Sequence, residues 1–193
     1  MGYMLESSRI EKINKMYLEA EMELLDQRIQ RDTLDTFDFE CGALIKENIE
    51  FGDKIFEEAL VIDRYEKANR INKEIIMQHK RFDLLRTLFW INSIYIKEKC
   101  NSDYHNLVYI YQYNEPSITQ KAKQKFFSNL LLEIKEKKGN NVMLIPIAGD
   151  NNISSIDLIL DKHNITEFPV ILIDEKIIIT DVESIGDVEK YLT

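Results

Sequence analysis

The first half of the chain carries apolar residues at helical spacing. Residues 7 to about 99 contain no proline and only two glycines. In the last segment of this half, apolar side chains recur every seven residues, which is typical of a helix packed along a coiled-coil-like seam. The repeat consists of Ile75, Phe82, Phe89 and Ile96, and Ile71 and Leu85 stand four residues before Ile75 and Phe89. The polar residues Gln78 and Asn92 interrupt it and are candidates for fixing the register of an oligomeric seam.

A second apolar stripe precedes this one, so the sequence predicts two long helices that pack on each other. The stripe consists of Leu44, Phe51, Ile55, Ile62 and Tyr65. The stretch ANRIN at 68–72 predicts a turn, because Asn69 can end one helix in the left-handed conformation and Asn72 can cap the next. The alternative is one unbroken helix of about sixty residues, which would need a dimer to bury its stripe.

The first segment is expected to be a shorter helix. It carries Ile10, Ile13, Tyr17 and Leu24 at helical spacing. This side of the helix can lie on the hairpin or on a partner chain. The sequence thus predicts an all-α helical arm over residues 1–104.

From residue 105 the apolar residues form short runs typical of buried strands, separated by helical segments. The runs are LVYIY at 107–111, NVMLIPIA at 141–148, PVILID and EKIIIT. The intervening helices are predicted at 116–139, where Gly139 ends the segment, in SSIDLILDKHN and in ESIGDVEKYL. The order is β-α-β-α-β-β-α over residues 105–193, which makes this half an α/β unit. Long crossovers favour parallel pairing among the first three strands, and the two-residue link Glu175–Lys176 requires an antiparallel hairpin.

Composition narrows the classes of function. The hydrophobic content of 45% is sufficient for a core, and the longest apolar-rich stretch, LLRTLFWINSIYI, contains Arg86 and is too short to span a bilayer. We therefore expect a cytoplasmic protein with no membrane partner. The net charge of −9 comes without the basic cluster that nucleic-acid binding requires, so no nucleic-acid partner is expected. No cofactor is expected either.

The two cysteines test the hairpin prediction. Cys41 and Cys100 are equidistant from the proposed turn, so an antiparallel hairpin places them side by side at its open end. That position suits a structural disulfide. We favour two buried free thiols, because disulfides are uncommon in the cytosol. A zinc site is not expected, since the chain has only two cysteines and its three histidines are scattered.

The order of elements in residues 105–193, together with HNITEFPVILIDEKIII at 163–179, resembles the thioredoxin-like fold. In that family an "N/G-I-x-x-x-P" run leads to a cis-proline that opens the third strand, and Asn164, Ile165 and Pro169 stand in those places. The arm followed by such a domain is also similar to archaeal proteins that carry "K-x-C" near the end of the arm, where this chain has KEKC ending in Cys100.

The junction YQYNEPSITQ at 111–120 aligns with the redox site of thioredoxins, which place Cys-x-x-Cys at a helix start to stabilise a thiolate. Glu115 and Ile118 stand where the two cysteines would be. Ser117 and Gln120 fit a capping box instead, and Pro116 suits a first helical turn. The redox activity of the family therefore does not transfer to this junction, and no catalytic residue is predicted there.

Two hypotheses about function follow. The first is a redox-inactive, non-catalytic module that binds a protein or peptide beside the expected cis-proline and uses the arm for dimerisation or docking. The resemblance implies that the backbone of Phe168 pairs with an extended peptide, and Tyr113, Glu115 and Pro169 complete the candidate groove; Tyr111 fits a groove or a core equally well. The second is a thiol-disulfide oxidoreductase that uses Cys41 and Cys100 in place of the missing pair.

Overall fold

Three long helices form the first half of the chain in the computed structural model. The structure describes residues 2–34, 36–68 and 73–192, and the side chains of residues 15, 18, 19, 21–34, 36–57, 59 and 76–192. Helix α1 spans Gly2–Leu34, α2 spans Cys41–Ala68 and α3 spans Lys73–Cys100. The expectation that α1 is the shorter helix is wrong. It has 33 residues against 28 in each of the others, because good helix formers continue without proline or an interior glycine as far as Leu34.

Helices α2 and α3 form the predicted antiparallel hairpin. The Cα atoms of Cys41 and Cys100 lie 5.4 Å apart, which is incompatible with one unbroken helix. The two stripes meet as expected: the rings of Phe51 and Phe89 are in edge contact, with centroids 5.7 Å apart. The proposed turn caps Asn69 and Asn72 lie outside the described residues, as do the side chains of Ile62, Tyr65, Ile71 and Ile75 and those of Ile10, Ile13 and Tyr17.

The C-terminal part of α1 lies on this hairpin. Leu24, Gln27 and Leu34 face inward, and Nδ2 of Asn92 donates a hydrogen bond to Oε1 of Gln27 at 2.9 Å. The sequence makes Asn92 a candidate for fixing the register of an oligomeric seam. Its partner is instead a residue of the same chain, so its polar group positions α1 on α3.

Four strands form one mixed sheet. They are β1 (His105–Tyr111), β2 (Val142–Ala148), β3 (Val170–Ile173) and β4 (Ile177–Ile179), in the order β2-β1-β3-β4. Strands β1 and β2 are parallel, and β3 and β4 form the predicted antiparallel hairpin. Parallel pairing of the third strand was wrong, because β3 is antiparallel to β1. The helix before β3 has nine residues. Its length is about 14 Å, against about 23 Å for a seven-residue strand, so it does not return the chain to the end of the sheet where β1 and β2 begin.

The remaining helices are α4 (Ile118–Lys138), α5 (Ser154–Lys162) and α6 (Gly186–Glu189), and a 3-10 turn spans Gly139–Asn141. Gly139, at φ +56°, ends α4 as predicted, since glycine adopts this conformation without a steric cost. The final helix is shorter than the predicted ESIGDVEKYL.

The sheet is covered on both faces. One face packs against α3 and α5 through a core that includes Phe89, Trp90, Val108 and Ile156. The other face packs against α4 and the C-terminal segment. Helix α3 is therefore shared by the arm and the sheet. In the described part of the chain, no helix combines the length and apolar character needed to cross a bilayer.

Candidate functional site

A buried polar cluster on α3 faces the carboxyl ends of β1 and β2. Its centre is Asp83, which is fully buried. The carboxylate accepts hydrogen bonds from the backbone N–H of Ala148 at 3.2 Å and from Nδ2 of Asn151 at 2.7 Å. The guanidinium of Arg86 lies 3.4 Å from the same carboxylate. Because a buried charge needs paired charge and hydrogen bonds to offset desolvation, these groups stabilise one another.

His79 connects Asp83 to the end of β1. Its Nδ1 lies 3.0 Å from Oδ2 of Asp83, and its Nε2 lies 3.0 Å from the hydroxyl of Tyr111. Since a carboxylate only accepts, Nδ1 donates to Asp83, and Nε2 forms the second hydrogen bond of the ring with the Tyr111 hydroxyl. The ring of Tyr113 stacks on the imidazole, with centroids 3.8 Å apart. The cluster therefore joins α3 to both strand ends through one continuous hydrogen-bonded chain.

This cluster is not among the site residues predicted from the sequence, although the chain carries a signal for it. His79, Asp83 and Arg86 stand at intervals of four and three residues, which places them on one face of α3. The same helix also carries the buried Phe82 and Leu85. Ionisable residues inside an apolar seam require partners, and only the tertiary structure shows that the partners come from the loops after β1 and β2.

The predicted junction is a well-satisfied helix start. Oγ of Ser117 accepts a hydrogen bond from the backbone N–H of Gln120 at 3.1 Å, as a capping residue does. The second half of the predicted capping box is absent: the amide of Gln120 donates to the backbone carbonyl of Phe168 rather than returning to Ser117. Gln120 thus joins the start of α4 to the loop before β3.

Two further side chains hold the loop after β1. The carboxylate of Asp150 accepts from the backbone N–H groups of Tyr113 and Asn114, at 2.7 and 2.8 Å. The amide of Gln124 bonds both backbone groups of Gln112, at 2.7 and 3.0 Å. These bonds satisfy backbone groups that the sheet leaves unpaired, so the loop is fixed to α4 and to the loop after β2.

The candidate groove residues are only partly brought together. Tyr113 faces His79 on α3, while Glu115 is exposed at φ +45°. Pro169 is buried and follows a cis peptide bond. Phe168 is half-buried, with its ring over Gly149, where a Cβ would collide with it. The carbonyl of Phe168, which the resemblance assigns to a peptide, is already occupied by Gln120.

A second polar cluster joins the end of α3 to the sheet at the opposite end of β1, where that strand begins. Asp174, in the β3–β4 turn, contacts Nζ of Lys97 at 2.7 Å, Nδ1 of His105 at 2.6 Å and the backbone N–H of Asn106 at 2.9 Å. Desolvation raises the pKa of Asp174, but these three hydrogen bonds outweigh it and hold the pKa below its usual value. Its neighbour Glu175 accepts from Nε1 of Trp90 at 2.6 Å. Burial raises the pKa of Glu175, and the nearby charge of Asp174 adds to the effect.

The lowered pKa of Asp174 predicts an acid-sensitive contact between α3 and the turn. A carboxyl whose pKa is lowered by folding stabilises the folded state above its ordinary pKa, and this contribution is lost as the pH falls through the lowered value. Asp174→Asn should therefore reduce the free energy of unfolding at pH 7, and the difference from the parent should shrink below about pH 4. Urea unfolding at several pH values measures it.

Glu175 contributes to the pH dependence of stability with the opposite sign, because a group whose pKa is raised by folding favours the folded state as the pH falls. Both chains in this comparison should therefore carry Glu175→Gln, so that Asp174 is the group of the turn that titrates. A difference that stays constant from pH 7 to the acid range would contradict the assignment.

Cys41 and Cys100 form a disulfide that closes the open end of the hairpin. The preference for two free thiols was wrong, because the hairpin places the two Cα atoms 5.4 Å apart, within bonding range. Both residues are partly exposed, and Cys41 is the first residue of α2.

The outer side of α1 carries an apolar stripe that is not among the predicted stripes. Leu18, Met22, Leu25 and Ile29 are 54–67% exposed. Their spacing of four, three and four residues places them on one side of the helix, away from the inward-facing Leu24, Gln27 and Leu34. Four large apolar side chains in a row on an exposed helix form a contiguous surface of the kind that binds proteins. We refer to these four residues as the α1 stripe.

A groove runs along one side of the stripe, between α1 and α2. Its polar wall contains Glu19, Glu23, Asp26 and Lys54, and Lys54 forms an ion pair with Glu23. In the described part of the chain, no group of three or more His, Cys, Asp or Glu side chains is placed to bind a metal ion. The sequence matches no protein-family model and no curated protein.

Proposed function

We propose that this protein is a non-catalytic interaction module that docks a protein partner through its helical arm. The observation that carries the proposal is the α1 stripe, whose side chains are more than half exposed. Burying such side chains against a partner helix is favourable by about 25 cal/mol for each Å² of apolar surface. The a/d-like spacing of the stripe suits a helix in particular.

The α/β unit serves in this proposal as a rigid base with a thioredoxin-like arrangement and no thiol chemistry at the junction. Its order of elements, β-α-β-α-β-β-α, supports that resemblance. The cap that Ser117 forms supports a structural role for the junction. The cluster around Asp83 joins the arm to the carboxyl end of β1, and the cluster around Asp174 joins it to the amino end of β1. A partner docked on the arm is therefore held at a fixed orientation to the α/β unit.

A second docking place in the same proposal is the surface around Pro169, where Gln120 joins the start of α4 to the Phe168 carbonyl. Ile118, at the start of α4, is 88% exposed, and Glu115 is exposed nearby in the chain, which supplies an apolar and an acidic contact. Because Gln120 occupies the carbonyl of Phe168, a peptide that pairs with this backbone must displace the Gln120 amide.

One observation favours the alternative, a thiol-disulfide oxidoreductase. Cys41 begins α2, where backbone N–H groups stabilise a thiolate, and its sulfur is bonded to Cys100. Insulin reduction by the wild type, lost in Cys100→Ser, would favour this function over the interaction module.

Site-specific photocrosslinking tests the interaction module. A photoreactive amino acid at Met22, in the stripe, should give crosslinked adducts in cells, because a docked partner lies against that position. Leu158 on α5 is the matched control, since it is 70% exposed against 67% for Met22. Adding Leu25→Glu should remove the Met22 adducts, because it places a charge in the centre of the stripe. Equal crosslinking at both positions, or adducts that survive Leu25→Glu, would overturn the proposal.

A further inference from the structure

We propose that the partner of the α1 stripe is the α1 stripe of a second copy of this chain, in antiparallel orientation. This inference rests on the proposed function and names the partner of the same surface. The spacing of four, three and four residues is symmetric about its centre, so it is the same along either direction of the helix. A two-fold axis between Met22 and Leu25 therefore pairs each apolar residue of one copy with an apolar residue of the other, Met22 with Leu25 and Leu18 with Ile29.

The rest of the arm leaves the stripe facing outward. Glu23 pairs with Lys54 on α2, and Glu21 lies 3.6 Å from Arg81 on α3. These ion pairs, with the buried Gln27–Asn92 contact, hold α1 against the hairpin at several points. The stripe is thus a preformed surface, and two copies can associate without rearrangement of the arm.

The charged residues that flank the stripe distinguish the two helix orientations. In the antiparallel register, Glu21 lies across from Arg28 of the second copy, which gives two attractive pairs. Glu19 lies across from Asp26 of the second copy, which gives two repulsive pairs beside Lys54 in the groove wall. In a parallel register, Glu21 would face Asp26, and Arg28 would face the uncharged Thr33. Only the antiparallel register gives Arg28 an acidic partner.

Sedimentation equilibrium of the purified full chain, with its disulfide intact, measures the association. The wild type should be a dimer, and Leu25→Glu should weaken the dimer by more than about 100-fold, because two charges enter the apolar contact. Leu158→Glu, at a leucine on α5 that is 70% exposed against 54% for Leu25, is the control and should leave the dimer unchanged.

Two charge variants test the orientation. Arg28→Glu should weaken the dimer about tenfold, because both attractive pairs become repulsive. Asp26→Lys should strengthen it about tenfold, because both repulsive pairs become attractive. A dimer that Leu25→Glu disrupts but Arg28→Glu leaves unchanged would overturn the antiparallel arrangement. A monomeric wild type at the highest attainable concentration would overturn the self-pairing altogether, while Met22 adducts with a different protein would leave the proposed function standing.

Discussion

Replacing Asp83 with alanine is expected to lower the free energy of unfolding by about 3–5 kcal/mol. The substitution leaves the Arg86 guanidinium buried without its carboxylate, and it removes the acceptor for His79, Asn151 and the Ala148 N–H. Breaking one member of a buried charged network costs more than the network contributes as a whole, because the remaining charge stays desolvated. The loss is a large fraction of the stability of an ordinary domain.

Urea unfolding followed by the fluorescence of Trp90 measures this loss. Trp90 is the only tryptophan of the chain and lies buried between α3 and the sheet. Asp161→Ala, at an exposed aspartate on α5, should change the stability by less than about 0.5 kcal/mol. If Asp83→Ala does not fold, Asp83→Asn keeps the shape of the side chain and should lose about 1–3 kcal/mol. A stability within about 0.5 kcal/mol of the wild type for either Asp83 variant would show that the cluster does not hold the arm to the sheet.

The double variant Cys41→Ser and Cys100→Ser should lose about 4 kcal/mol of unfolding free energy. The two cysteines are 59 residues apart in sequence, and a bond across such a loop restricts the unfolded chain strongly. In the folded state the hairpin already holds its ends together, so the effect comes mainly from the freedom that the unfolded chain regains.

Reducing agent provides the matched control for the disulfide. The wild type in reductant should unfold at the urea concentration of the double variant, and the double variant should not respond to reductant. Alkylation followed by mass spectrometry verifies that both thiols are free under these conditions. Unchanged wild-type stability with both thiols labelled would contradict a stabilising role for the disulfide.

The elements that depend on local sequence were predicted well. The strand LVYIY, the end of α4 at Gly139 and the β3–β4 hairpin follow from apolar runs, a left-handed glycine and a short link. The antiparallel hairpin of α2 and α3 followed from two complementary stripes. Each of these features is decided by neighbours within a few residues or by one dominant apolar pattern.

Two expectations failed where distant segments compete for the same polar group. Asn92 was a candidate for an oligomeric seam, but its partner is Gln27 of α1 in the same chain. Gln120 was assigned to a capping box, but its side-chain amide donates to the carbonyl of Phe168. A sequence names the donors and acceptors, and it does not say which of several partners the fold brings within hydrogen-bonding distance.

For the candidate surfaces too, the sequence determined one part and the tertiary structure the other. The spacing of the α1 stripe is written in the sequence, since Leu18, Met22, Leu25 and Ile29 recur at helical intervals. Whether that stripe is buried or exposed was decided by the tertiary structure, because α1 has a second apolar side and only one of the two can face the hairpin. Likewise, the sequence by itself determined that His79 and Asp83 share a face of α3. Only the packing of α3 across the strand ends gave them Tyr111 and Asn151 as partners, because hydrogen bonds between segments more than thirty residues apart depend on the three-dimensional path of the chain.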